Sequence, residues 1–177
     1  MDPPRVWLSM YPRRRVIISH SPGSSMAVTG ASSGFGKALI EVLLRKGDTV
    51  VATLRKPSVL TYLTEQYPPS QLLLLTLDVT RPADITAAFA RTEEVFGRLD
   101  VVFNNAGTGI CGEVEATPDA DARALFNVNF WGAVDVSRAA VKFFREVNPP
   151  GKGGLLLQNS SISGFTGTPS LAFYCAR

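Results

Sequence analysis

From Met26 onward the chain alternates short apolar runs with amphipathic stretches, and few folds accept that order. Thr49–Leu54 reads as a buried strand, as do residues 71–79 with their four consecutive leucines, residues 99–103 and residues 155–159. Helical patterns lie between them. Residues 34–46 carry Ala38, Leu39, Val42, Leu43 and Leu44 at helical spacing, and Gly47 stands where the helix should end. Thr80 is placed to cap a helix with Pro82 in its first turn, running to about Phe96 and closed by Gly97. Thr117-Pro118 opens a longer pattern that reaches about Val147 and is stopped by Asn148-Pro149-Pro150-Gly151. Strict alternation without an internal repeat predicts an α/β fold, a doubly wound parallel sheet with helices on both faces.

Hydrophobic residues make up 45% and charged residues 19% of the 177, which suits one globular domain and excludes global disorder. That domain is expected over residues 26–177. Residues 1–25, with four prolines and Arg13-Arg14-Arg15, read as an irregular extension or insertion. The net charge of +3 comes from the first fifteen residues, so the domain itself sums to zero. A nucleic-acid partner would want a basic stripe with aromatics, and none is found. Cys111 and Cys175 match no metal-ligand or redox spacing, so they read as reduced thiols and no metal is expected. No apolar run approaches the roughly 20 residues of a membrane span. Val16-Ile17-Ile18 is too short for a signal segment, and a cytoplasmic location is the default.

Six local patterns carry chemistry. Thr29-Gly30-Ala31-Ser32-Ser33-Gly34-Phe35-Gly36-Lys37 sits at a strand-to-helix junction. Glycines there let the backbone approach a pyrophosphate, and a helix N-terminus offers unpaired N–H groups. The same glycines would equally serve a turn that packs a helix on a strand. Past the second strand, folds that prefer NAD carry an acidic residue for the ribose hydroxyl. Leu54 fills that slot here and Arg55-Lys56 follow. A guanidinium matches a 2′-phosphate, although a solvated basic turn is common. Leu77-Asp78-Val79 ends a strand, where the carboxylate either accepts from an adenine amine or caps the following loop. Asn104-Asn105-Ala106-Gly107 leaves room for an adenosine and can tie strand ends together, or is simply an asparagine-rich turn. Asn127 and Asn129 interrupt the long helical pattern; Asn is a poor interior helix residue, so a local distortion, a water site or plain exposure explains them. Ser161 follows a strand and Tyr174 comes thirteen residues later; their hydroxyls can converge on one carbonyl oxygen, although a Ser and a Tyr that far apart mean little alone.

The ordered set, over about residues 26–177, resembles the short-chain dehydrogenase/reductase family. The resemblance implies a Rossmann-like three-layer αβα fold. It also implies reversible hydride transfer between a nicotinamide cofactor and a small-molecule alcohol or carbonyl. It places the cofactor on Thr29, Gly30, Ser32, Ser33, Gly34, Phe35 and Gly36, on Arg55, on Asp78 and Val79, and on Asn105, Ala106 and Gly107. Arg55 matches the members that prefer NADP, with NAD the lesser expectation. Asn129, Ser161 and Tyr174 take three places of a catalytic tetrad. Tyr174 is the expected general acid, Ser161 a donor to the same oxygen, and Asn129 the holder of a water. Full-length relatives are often homo-oligomers.

Two departures stand out. A phenol titrates near ~10, and the family lowers this with a lysine four residues on; the sequence stops at Arg177, one residue short. The expectation is a C-terminally truncated domain, either a weak enzyme, an inactive nucleotide-binding remnant, or a regulatory NADPH-binding protein. At the other end only Met26-Ala27-Val28 precede Thr29, too few for a buried central strand. Arg5-Val6-Trp7-Leu8 resembles the start of one, which makes residues 9–27 a candidate insertion.

Overall fold

The computed structural model describes residues 23–176. Arg5-Val6-Trp7-Leu8 and Arg177 lie outside the described residues. Five parallel strands form one sheet: β1 (Ser25–Thr29), β2 (Thr49–Leu54), β3 (Leu72–Thr76), β4 (Val101–Asn104) and β5 (Leu155–Gln158). Their spatial order is β3-β2-β1-β4-β5. The helices are α1 (Gly34–Arg45), the single turn α2 (Thr61–Thr64), α3 (Pro82–Phe96), α4 (Asp119–Phe126), α5 (Ala133–Glu146) and the short α6 (Ala172–Cys175).

Strand alternation splits the core into two layers. Val28, Val50, Ala52 and Leu54 face α1 and meet Ile40, Leu43 and Leu44. Ala27, Val51 and Val102 face the other way and meet Ile85 of α3 and Val136, Ala140 and Phe143 of α5. The doubly wound three-layer arrangement is therefore as the alternation predicts. Gly97 ends α3 in the left-handed conformation, φ 64°, and Gly47 follows α1 with φ 83°.

Three local expectations need correction. First, β1 is five residues long and buried throughout, so residues 25–27 fill the central strand for which three apolar residues looked too few. Counting apolar residues alone missed Ser25, whose backbone is satisfied within the sheet. Its N–H donates to Asp100 Oδ2 (2.9 Å) and its carbonyl accepts from the Asp100 N–H (2.9 Å). Second, Arg81 and not Thr80 is the N-cap of α3. Pro82 pushes the residue before it into extended backbone, and Arg81 has φ −118° and ψ 103°. The Thr80 hydroxyl instead donates to Asp78 Oδ1 (2.7 Å). Third, the long helix is not continuous: a π-helical segment, Asn127–Gly132, separates α4 from α5, the local distortion that was one reading of its two asparagines.

The turn after α5 is more than a stop. Asn148 is buried; its Nδ2 donates to the carbonyls of Leu99 and Gly153 (both 2.7 Å), and its Oδ1 accepts from the Leu99 N–H (3.0 Å). One side chain thus staples the start of β4 to the turn before β5. Asn148→Ala should cost about 2–4 kcal/mol, because each orphaned buried group costs about 1–3 kcal/mol. Thermal or urea unfolding of the two proteins reads this directly.

Candidate active site

Strand order reverses between β1 and β4, and a doubly wound sheet opens a crevice at the C-terminal ends of the strands there. Thr29 and Gly30 close β1 at that end, and Asn104 and Asn105 close β4. Thr29 Oγ1 accepts from the backbone N–H groups of Asn105 and Ala106 (both 2.9 Å) and donates to Asn104 Oδ1 (3.3 Å). Asn105 Nδ2 returns a bond to the Thr29 carbonyl (2.9 Å), and Asn159 Nδ2, past β5, donates to Asn105 Oδ1 (3.0 Å). Asn104 Nδ2 donates to the Ala133 carbonyl (2.9 Å), which moors the start of α5. The asparagines of the fourth pattern therefore tie three strand ends and one helix together.

The glycine loop owes its residues to close approach. A Cβ on Gly30 would lie 2.9 Å from Ala106 Cα, and one on Gly36 would lie 2.5 Å from the Gly30 carbonyl oxygen. Gly34 has φ +54° and nothing within 4 Å of its Cβ direction, so it needs its backbone freedom and fronts open space at the first turn of α1. The space a dinucleotide phosphate would need is thus kept clear at a twelve-residue helix N-terminus, and the residues present fit such a group.

Two adjoining clefts continue from this loop. One, of about 270 Å³, is walled by Gly30, Ser32, Ser33, Arg55, Leu77, Asp78, Val79 and Val128. The other, of about 710 Å³, is walled by Phe35, Asn129, Ser161, Tyr174 and neighbours that include Ile110, Cys111 and Leu171. Asn105, Ala106, Gly107 and Thr108 line both, so the two form one groove across the sheet's upper edge. A further groove of about 610 Å³ along α5 meets the larger cleft at Asn129 and Ala133; it carries Val134 and Val141 but no glycine loop and no strand end apart from Gln158.

The site residues distribute along that groove. Leu54 is buried in the core, so the first side chain past β2 that is free to face the groove is Arg55. Asp78 Oδ1 accepts from the Thr80 hydroxyl (2.7 Å) and the Thr80 N–H (3.0 Å), which caps its loop. These two bonds, helped by Arg55 and Arg81, hold the Asp78 carboxylate below its ordinary pKa. A lowered folded-state pKa adds stability that is present above the unfolded value, about 3.9, and is lost as pH falls through the lower folded value. Asp78→Asn keeps an acceptor but removes the proton uptake. Its melting temperature should therefore fall less steeply below about pH 4 than that of the unmodified chain.

At the other end, Asn129 lies in the π segment. Its Oδ1 accepts from the Thr108 N–H (2.8 Å) and its Nδ2 donates to the Thr108 carbonyl (2.7 Å). Both ends of the amide clamp the loop after Gly107. Asn127 is exposed. Close packing of Gly132 on Val79, where a Cβ would meet Val79 Cγ2 at 2.8 Å, seats the segment. Ser161 Oγ accepts from the Ser163 N–H (3.2 Å) and caps the short 3₁₀ turn Ile162–Gly164. Tyr174 stands on α6, its ring near Gly109. The entry to α6 is held by Ser170, a non-glycine residue at φ 60°, whose carbonyl accepts from the Gly112 N–H (2.8 Å) and whose hydroxyl donates to Glu113 Oε1 (3.1 Å). Thr108, Ile110 and Leu171 were not legible as site residues; only their position in loops beside the recognised patterns points to them. Among the described residues, no cluster of metal-ligating side chains exists and no helix is long and apolar enough to cross a membrane.

Comparison with known proteins agrees with this geometry. The short chain dehydrogenase family model matches residues 24–177. An uncharacterized oxidoreductase of Schizosaccharomyces pombe is 39% identical over 153 residues, 86% of this chain and 50% of that protein. The crystal structure of a short-chain dehydrogenase from Streptomyces avermitilis superposes with a TM-score of 0.79 at 34% identity, covering 87% of this chain and 54% of that one. A 3-ketoacyl-(acyl-carrier-protein) reductase from Brucella melitensis, complexed with NADH, gives 0.79 at 26% identity, covering 87% and 63%. The chain spans about half the length of the curated relatives it matches.

Proposed function

Since the chain belongs to the short-chain dehydrogenase/reductase family, we propose that its groove takes NADP(H) and a small alcohol or carbonyl compound for reversible hydride transfer. One observation carries this: a single groove joins the glycine loop, Arg55 and Asp78 at one end to Asn129, Ser161 and Tyr174 at the other. The bound NADH in the Brucella melitensis relative supports a nicotinamide dinucleotide.

When bound, the cofactor supplies the hydride. The protein supplies binding, orientation and a proton. Amides at the start of α1, with Gly30, Ser32, Ser33 and Gly34, receive the pyrophosphate, and Gly36 lets the loop close on Asn105. Asp78 and Val79 border the adenine, and Asn105, Ala106 and Gly107 the adenosine ribose. Phe35 lines the larger cleft. Arg55 pairs with a 2′-phosphate, which an acidic side chain would repel. At the reacting end Tyr174 Oη gives its proton to the substrate oxygen, and Ser161 Oγ–H donates to that same oxygen, where negative charge grows. Asn129 positions the loop of Thr108 through its two bonds and acts on the reaction through that loop.

Cofactor choice tests the reading. The unmodified chain should bind NADPH more tightly than NADH, and Arg55→Asp should reverse the order by removing a charge-assisted pair and adding repulsion. Fluorescence titration of both nucleotides decides it; tighter NADH binding by the unmodified chain rules the NADP preference out.

A further inference from the structure

Among the described residues, Ser170 is the one non-glycine whose backbone is left-handed, at φ 60°. A Cβ disfavours that conformation, so contacts around it must hold it. Two do, and both come from one loop. The Ser170 carbonyl accepts from the Gly112 N–H (2.8 Å), and its hydroxyl donates to Glu113 Oε1 (3.1 Å). Glu113 is itself fixed just before α4: its carbonyl accepts from the Thr117 N–H (3.0 Å) and the Thr117 hydroxyl (2.8 Å). Gly112 packs closely there, since a Cβ on it would lie 3.0 Å from Thr117 Oγ1. Asn129 pins the same loop at Thr108. Between the two pins run Gly109, Ile110 and Cys111, which wall the larger cleft together with Leu171 and Tyr174. A Cβ on Gly109 would lie 3.8 Å from Tyr174 Cδ2, so the loop and the phenol ring are neighbours. Ser170 is thus where the loop after β4 is tied to the segment that enters α6, four residues before Tyr174.

We propose that Ser170 and Glu113 are positioning residues for Tyr174: their bond, with the one from Gly112, sets where the phenol stands in the cleft. The lever is a single dihedral. Rotation about the Ser170 N–Cα bond swings everything after it, Tyr174 included, relative to everything before it, Ser161 included. A negative φ is open to any residue, and the bonds to Gly112 and Glu113 select the left-handed value instead. Loss of the Glu113 bond releases φ, loosens the Gly112 bond with it, and draws the phenol away from Gly109 and from the oxygen it is to serve. Ser161 stands outside this latch, because it caps its own turn through the Ser163 N–H (3.2 Å). Ser170 and Glu113 touch no reacting atom and act through Tyr174. Their role rests on the proton donation proposed above, while the geometry they hold does not.

NMR of the isotope-labelled chain, residues 1–177, tests it through two readings: amide exchange at Gly112, and the nuclear Overhauser contact between the Tyr174 ring and Gly109. Ser170→Ala and Glu113→Ala should each speed Gly112 exchange about fivefold, the factor that one hydrogen bond is worth. Each should also weaken the Tyr174–Gly109 contact. Ser170→Asn tolerates left-handed backbone and keeps a donor, and Glu113→Gln keeps the acceptor, so both should restore the two readings. Glu113 is exposed, so its substitutions do not endanger folding. The Leu99 amide, held by Asn148 Oδ1, serves as the control and should exchange at one rate in all five proteins. Three results overturn the proposal: Gly112 exchange unchanged in both alanine variants, a Tyr174–Gly109 contact that survives faster exchange, or loosening that extends to Leu99. None of these readings uses NADPH or a substrate, so their failure leaves the proposed reaction standing. That reading fails separately, by NADPH oxidation that ignores Tyr174→Phe.

Discussion

Residues 1–177 by themselves are expected to reduce ketones with NADPH very slowly, and joining them to the second half of a family relative is expected to raise the rate steeply. Within the 177 residues, Tyr174 has no lysine one helical turn further on. Arg177 lies three residues on, but a guanidinium stays charged and cannot pass a proton along. A positioned acid–base group contributes about 10²–10⁴-fold. The joined protein should gain at least that factor, and more where the added half shields the cleft from water. Tyr174→Phe in the joined protein should return the rate to that of residues 1–177. Stopped-flow or steady-state loss of NADPH absorbance gives both numbers. Rapid turnover by residues 1–177 alone, or a joined protein indifferent to Tyr174→Phe, contradicts the role assigned to this residue.

Gly36→Val is expected to remove nucleotide binding. A Cβ at position 36 would sit 2.5 Å from the Gly30 carbonyl oxygen and 2.8 Å from Asn105 Nδ2, and the first of these is backbone that cannot swing aside. The glycine loop must then lift from α1, and the Asn105 link between β1 and β4 moves with it. An affinity loss of roughly 100-fold or more, about 2.7 kcal/mol, together with a lower melting temperature, is the expected outcome. Gly34→Val makes the useful contrast. Its Cβ meets nothing within 4 Å, so its effect comes from the φ of +54° and from intrusion into the phosphate space. It should weaken nucleotide binding while leaving far-UV circular dichroism nearly unchanged. Binding that survives both substitutions would reduce the loop to a packing turn.

What the sequence disclosed, and what it hid, follows from range. The parallel sheet was legible because buried strands and amphipathic helices are written in contiguous residues, and β2 runs over Thr49–Leu54 as its pattern predicts. The glycine loop was legible only as the first of six patterns in order, since three glycines alone would equally serve a packing turn. Ser25 was misread because its burial depends on Asp100, seventy-five residues away, which no local pattern reveals. Thr80 was misread because two local rules compete there, and the backbone restriction imposed by Pro82 outweighs the preference of threonine for a cap. Asn129 was visible as an oddity within a helical pattern. Its partner Thr108 was not, since a backbone N–H and carbonyl carry no sequence signature. Asn148 looked like a helix stop, and only the fold shows that it joins Leu99 to Gly153.

The most direct measurement is a backbone-amide NMR titration of the isotope-labelled chain with NADPH. Shift changes should gather at Ser32 to Gly36, at Arg55, at Asp78 and Val79, and at Asn105 to Gly107, which lie along one groove. Saturation should come at one nucleotide per chain. Changes confined to the α5 groove around Val134 and Val141, or no saturable change at all, would contradict the assignment of this groove to a nicotinamide dinucleotide.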